Sequence, residues 1–417
     1  MVMFDRTYRQ RLEADLAQWE ADGVITPVAV TAIRLALPPL APAFNIATVV
    51  AMLGGLLIAA AFLAFVAAHW LEISRLLRLA ILLAGIVSAY GLGGWFARAG
   101  KPVLADLCAS VGSIIFGAGI ALVGQMYHLG GDFAGGMLLW AVGALTAAAL
   151  TGSRGALAVA LVAATIWSCM RTDANEVPHF SFAVIWLIAA GLTLAWNARV
   201  AAHLVALSVF PWWFVAALQP GVGPFILADG AALLFGGGLA LAAAPWRRAS
   251  STGGVLSTYG AFALAGAAAL EVATANDFFS TNAASHPLWA ISCGVAGAIL
   301  AVAAAATTRR PGTAVAAGAI TLVLIAATVW TPTQAREPWL AYALVLCATL
   351  CLVVSGMLDG SRSRIIAGWL GIAGVIAAIT WAVKGSLLRR SAFLAVSGAV
   401  AVALAMSLKR LVPRTDE

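Results

Sequence analysis

Fourteen apolar stretches of roughly membrane-spanning length follow one another from Ile46 to Leu408, separated by short loops. A bilayer core about 30 Å thick takes roughly 20 apolar residues to cross as a helix. The stretches cover approximately 46–68, 76–97, 103–124, 133–151, 155–171, 180–196, 200–219, 225–245, 253–274, 287–306, 312–330, 338–357, 364–383 and 390–408. Hydrophobic residues make up 63% of the 417-residue chain and charged residues 10%, more apolar surface than a water-soluble fold can hide. The expected fold is all-α, a polytopic transmembrane helical bundle of about 14 spans with a small N-terminal cytoplasmic helical hairpin.

Residues 1–45 form that hairpin. Leu12, Leu16 and Trp19 share one face at helical spacing, and Asp22-Gly23 ends the run. Thr26-Pro27 reads as an N-cap followed by proline at the first helical position. Pro38, Pro39 and Pro42 break the chain before the first span. The charged residues ahead of Ile46 argue against a cleaved signal peptide and for an uncleaved signal-anchor. Residues 46–408 are the transmembrane domain, and 409–417 a cytoplasmic tail.

The net charge of +7 would suggest nucleic acid in a soluble protein, but no basic run or aromatic-interleaved basic face is present. The basic residues sit instead in short loops. With fourteen spans, seventeen of the 24 lysines and arginines share the side of the two termini. The positive-inside rule then places both termini in the cytoplasm. The five cysteines all lie inside apolar stretches, with no metal or disulfide spacing, and read as small core residues.

Three motifs carry a family resemblance: LAQWEADGVIT in the N-terminal hairpin, LAFVAAHWLEISRLLR at the end of the first span, and GQMYHLGGDFAGGMLLWAVGAL from the third span into the fourth. In these the chain resembles the bacterial membrane proteins grouped as domain of unknown function 2157, over roughly the first 150 residues. The resemblance implies a bacterial inner-membrane location and no established activity. The family typically carries Asn before the Trp of the second motif, so His69 is a departure.

Both spanning motifs end on the non-cytoplasmic side under this topology. His69, Trp70, Glu72, Gln125, Tyr127, His128 and Asp132 can therefore meet at one membrane face, as an outward-facing polar site for a small solute or ion. The structural alternative is equally specific: Asp132 capping the next helix, Gly130-Gly131 as a turn, and Trp70, Tyr127 and His128 as interfacial anchors. Asp229 and Glu271 lie slightly inside their spans, where a carboxylate must pair, protonate or face water. They are candidates for a proton or cation site, with snorkelling at helix ends as the alternative. Asp173, Glu176 and His179 offer metal-ligand types, but in a loop without a helical ligand register.

Pro211 lies mid-span, and Gly236-Gly237-Gly238, Gly135-Gly136 and Ser113 with Gly117 offer small surfaces for close helix contact. SRLLR at 74–78 and SLLRR at 386–390 hint at an internal duplication of transporter type. No phosphate-binding loop, nucleophile elbow or dinucleotide fingerprint is present, and no cofactor is expected. Three function classes remain. One is a transporter or permease-like protein. Another is a scaffold whose residues 1–45 dock a cytoplasmic protein. The third is a membrane-embedded enzyme acting on envelope lipid or sugar, with His128 as base and Asp132 as orienting acid. The expected partners are the lipid bilayer and a small solute or ion, with no nucleic acid.

Overall fold

Apolar runs bounded by capping residues become helices throughout the chain. The computed structural model describes residues 2–36, 74–126, 132–176, 178–219, 222–223, 225–274, 286–329 and 339–382, with seven further residues between 50 and 64. All regular structure among the described residues is helical. The chain divides into two compact units, Met1–Trp70 and Leu71–Glu417.

In the first unit α1 (Val2–Ala21) stops at Gly23, whose φ of 72° suits glycine. Thr26 Oγ1 accepts the Ala29 amide at 3.3 Å, and Pro27 opens α2 (Pro27–Ala36), as the sequence predicts. Leu16 and Val30 are fully buried, whereas Trp19, on the face read as apolar, stays 43% exposed.

The second unit contains twelve described helices: α3 (Arg75–Arg98), α4 (Pro102–Met126), α5 (Phe133–Thr151), α6 (Arg154–Asn175), α7 (Phe182–Trp196), α8 (Arg199–Ala217), α9 (Ile226–Ala243), α10 (Arg247–Thr274), α11 (Leu288–Thr308), α12 (Pro311–Val329), α13 (Trp339–Leu358) and α14 (Arg362–Ala382). Eleven of them are long and apolar enough to cross a membrane, and α7 is a shorter apolar helix of 15 residues. They correspond one to one with the second to thirteenth apolar stretches. The last stretch, 390–408, and most of the first lie outside the described residues.

Two large packed clusters and a smaller one around Ala206, Leu234 and Leu256 lie in this unit. One joins α5 to α8 with the starts of α9 and α11, around Leu157, Val205 and Trp212. The other joins α9 to α14, around Phe235, Leu264, Ile320 and Leu352. Their contacts are largely alanine and glycine, because lipid supplies no hydrophobic drive and helices gain by close approach. A Cβ on Gly236 would strike the Gly297 backbone across the α9–α11 contact, and Gly260 lies against the Phe235 backbone across α9–α10. Gly117 receives the Trp140 ring, whose Nε1 donates to the Ser113 carbonyl at 2.9 Å.

Polar contacts separate the two ends of the bundle. At one end Asp106 Oδ1 accepts Ser153 Oγ at 2.6 Å, Ser251 Oγ donates to Asn197 Oδ1 at 2.9 Å, and Thr313 Oγ1 donates to Asp359 Oδ2 at 3.0 Å. At the other end Asp132 pairs with Arg171, and His286 with Asp229. Alternate loops thus gather at opposite ends, as consecutive antiparallel spans require.

Candidate functional site

Three helix ends converge around Asp229. It lies in the first turn of α9, where unpaired backbone amides favour a carboxylate. Its side chain is only 2% exposed, and Oδ2 is 2.6 Å from Nε2 of His286, whose side chain is 17% exposed. His286 directly precedes Pro287, the N-cap residue of α11. That position holds the imidazole at the mouth of the helix pair while Asp229 lies beneath it.

The floor of this site is glycine. A Cβ on Gly294, one turn and a half into α11, would collide with Asp229 Oδ1 and with Leu324 of α12. Only the absence of a side chain there admits the carboxylate. Glu271, in the last turn of α10, is buried and interacts electrostatically with Asp229. Asp229 and His286 are thus in contact where α9 meets α11, and the buried Glu271 at the end of α10 is within electrostatic reach of Asp229.

A second polar place lies at the same end of the bundle. Asp132 is the N-cap of α5, its Oδ1 accepting the Ala134 amide at 3.1 Å, and its other oxygen pairs with Arg171 near the end of α6. The capping role read from the sequence is present, together with a partner 39 positions away. Asp132 and Gln125 line one cavity of about 810 Å³ between α3, α4 and α5, whose walls include Leu82, Ile86, Phe116 and Trp140. Those two members of the outward-facing cluster are brought together. His69, Trp70, Glu72, Tyr127 and His128 lie outside the described residues.

His179, in the loop between α6 and α7, is tied inward. Its ring Nδ1 is 3.2 Å from Ser168 Oγ, its amide donates to Thr172 Oγ1 at 3.1 Å, and its carbonyl accepts Trp212 Nε1 at 3.2 Å. The Trp167 ring meets it edge-on at 4.5 Å. Burial, and secondarily the charge of Arg171, hold the imidazole below the ordinary histidine range. Among the described residues no three His, Cys, Asp or Glu side chains converge in a way that could hold a metal ion.

One family model matches the start of the chain. Residues 17–157 match the family described as predicted membrane protein (DUF2157). The matched segment runs from the end of α1 to the first turn of α6, so the DUF2157 region includes Gln125 and Asp132. The Asp229–His286–Glu271 site lies beyond the DUF2157 match, in the later helices. No curated protein and no solved structure matches the chain.

The sequence singled out Asp229 and Glu271 because acids are rare in such spans, but it did not supply His286 as the partner. The available signal was positional: a histidine directly before the proline that opens a span, in the loop that follows Glu271.

Proposed function

We propose that this chain is a proton- or cation-coupled membrane transporter whose exchange site is formed by Asp229, Glu271 and His286. The observation that supports it is the 2.6 Å contact between a buried carboxylate in the first turn of one membrane-length helix and a largely buried imidazole just ahead of another. Ionisable groups at such depth are costly and characteristically mark ion pathways.

Charge balance points to the cargo. With both acids ionised, one imidazole leaves the site negative in either of its protonation states. The N-terminus of α9 offsets only about half an elementary charge. A proton or a small cation supplies the rest, and its departure is the natural coupling event. His286, nearer the surface, is placed to pass a proton between water and Asp229.

The excess of basic residues on the side of the termini supports an orientation in the bacterial inner membrane with both termini in the cytoplasm. The site then faces outward. Pro211 inside α8 and the close glycine contacts of α9 give the bundle places where helices can bend or slide.

The test is flux in proteoliposomes under imposed proton, sodium or potassium gradients, each followed by an entrapped dye selective for that ion. The wild type should dissipate one of these gradients faster than protein-free vesicles, and Asp229→Asn should abolish the difference. A wild type no faster than empty vesicles for all three ions, or an unimpaired Asp229→Asn, would contradict the reading.

A further inference from the structure

The cavity of about 810 Å³ that Gln125 and Asp132 border has α4 as its floor and α3 and α5 as its walls. Ligand pockets commonly enclose about 300–1,000 Å³. Both walls pack against α4. Glycine on the floor leaves the room between them. Gly119 is buried, yet a Cβ there would meet nothing within 4 Å, and the same holds for a Cβ on Gly124. A side chain at either position would stand in the cavity itself.

All three linings start from one end of the bundle. α4 arrives there at Met126, and α3 and α5 leave from it at Arg75 and Phe133, because consecutive spans run antiparallel. From that end the cavity runs inward from Gln125 to Phe116 on α4, nine residues or about 14 Å of helix. On α3 it runs from Leu79 to Ile86, about 10 Å, and on α5 from Asp132 to Trp140, about 12 Å. Half of a hydrocarbon core is roughly 15 Å, so the cavity reaches from the membrane surface toward the midplane. Trp140, seated on Gly117 and bonded to the Ser113 carbonyl, closes its inner end.

Leu83 on α3 and Leu139 on α5 line the cavity and are exposed, so it opens sideways between these helices. In a membrane that opening faces acyl chains, and an apolar space of this kind excludes water. Polarity is concentrated at the outer rim, where Gln125 and Asp132 stand and Arg171 pairs with Asp132. A guanidinium and a carboxylate offer more donors and acceptors than their mutual bond and the Ala134 amide use. The rim thus presents both signs of charge side by side. An anionic headgroup is repelled by Asp132 and a purely cationic one by Arg171. A zwitterion that carries N–H donors and a phosphate makes charge-assisted bonds to both.

We propose that this cavity binds a phospholipid with a zwitterionic, primary-ammonium headgroup, of the phosphatidylethanolamine type. One acyl chain lies between α3 and α5, the ammonium is held by Asp132 and Gln125, and the phosphate by Arg171. Every lining residue falls within the segment 17–157, whereas Asp229, Glu271 and His286 lie beyond it, so the lipid site is separate from the exchange site.

Thermal unfolding of the detergent-purified protein, titrated with phosphatidylethanolamine, phosphatidylcholine or phosphatidylglycerol of the same chains, tests the assignment. A lipid that binds the folded state raises its apparent stability. Phosphatidylethanolamine should raise the Tm of the wild type most, since the quaternary ammonium of phosphatidylcholine has no N–H to donate. Asp132→Asn keeps a capping side chain for α5 but not the charge, and should move the preference to phosphatidylglycerol, because Arg171 remains. Gly119→Leu, which fills the cavity, should remove the response to all three lipids while unfolding no earlier than wild type in detergent alone. Should Gly119→Leu not fold, Gly124→Leu probes the same floor. A wild type that responds equally to the three lipids overturns the proposal. So does a folded cavity variant that keeps the wild-type response, or an Asp132→Asn protein that still prefers phosphatidylethanolamine.

Discussion

Asp229 lies against the bare Cα of Gly294 where α9 meets α11. This is a size relationship as much as an electrostatic one. Gly294→Ala should push the carboxylate away from His286 and cost about 1–3 kcal/mol, the usual penalty for overpacking. Unfolding of the two proteins in mild detergent measures it. In an Asp229→Ala background the same substitution should cost less, because one of its two obstacles is gone. An equal cost in both backgrounds would show that Leu324 alone sets the constraint.

The loop histidine makes stability depend on pH. His179 has a lowered pKa through burial and the nearby Arg171 charge. The unfolded chain therefore binds its proton first as pH falls below about 6.5. Stability should decline from there down to the lowered folded value and change no further through this residue below it. His179→Gln should flatten that part of a Tm profile collected from pH 7.5 to 5.

At the opposite end of the bundle Arg364 donates to Asp359 at 2.7 Å and to Ser355 Oγ at 3.0 Å, and Thr313 donates to the same Asp359 oxygen. Both charged side chains are largely buried, 12% and 5% exposed. Arg364→Met leaves a buried carboxylate without its cation and should cost roughly 3–5 kcal/mol. The Arg364→Met/Asp359→Asn double variant should recover much of that. A double-mutant cycle by thermal unfolding reads the coupling.

Glycines in neighbouring helices should respond in opposite directions. Gly297→Ala puts a methyl into the α9 backbone at Ala232 and should destabilise by about 1–3 kcal/mol. Gly254→Ala, in α10, meets nothing and should be neutral or stabilise by up to about 1 kcal/mol through helix propensity. Similar shifts for the two would contradict the close α9–α11 approach.

Most of the helical order was legible because hydropathy reports the membrane directly: the stretch 76–97 is α3, and 103–124 is α4 within two residues at either end. The misjudged boundary at α10 has a physical cause. The helix begins at Arg247 rather than near 253, since Arg-Arg-Ala-Ser-Ser-Thr is mostly polar but free to be helical outside the bilayer. Apolarity marks where lipid is, not where the helix ends. The exchange site was half legible. Depth in a span exposed Asp229 and Glu271, but a partner 57 positions away can be found only once α9 and α11 are packed. The same holds for Arg171 beside Asp132, where the capping role was local and readable and the ion pair was not.

Infrared difference spectroscopy between acid and alkaline pH, on wild type, Asp229→Asn and Glu271→Gln in lipid, reads the exchange site without knowledge of any substrate. The wild type should show a protonated-carboxyl band that exchanges with solvent and is lost or displaced in at least one of the two variants. A wild type without such a band, or a band untouched by both substitutions, would mean that Asp229, Glu271 and His286 hold the helices together and carry nothing.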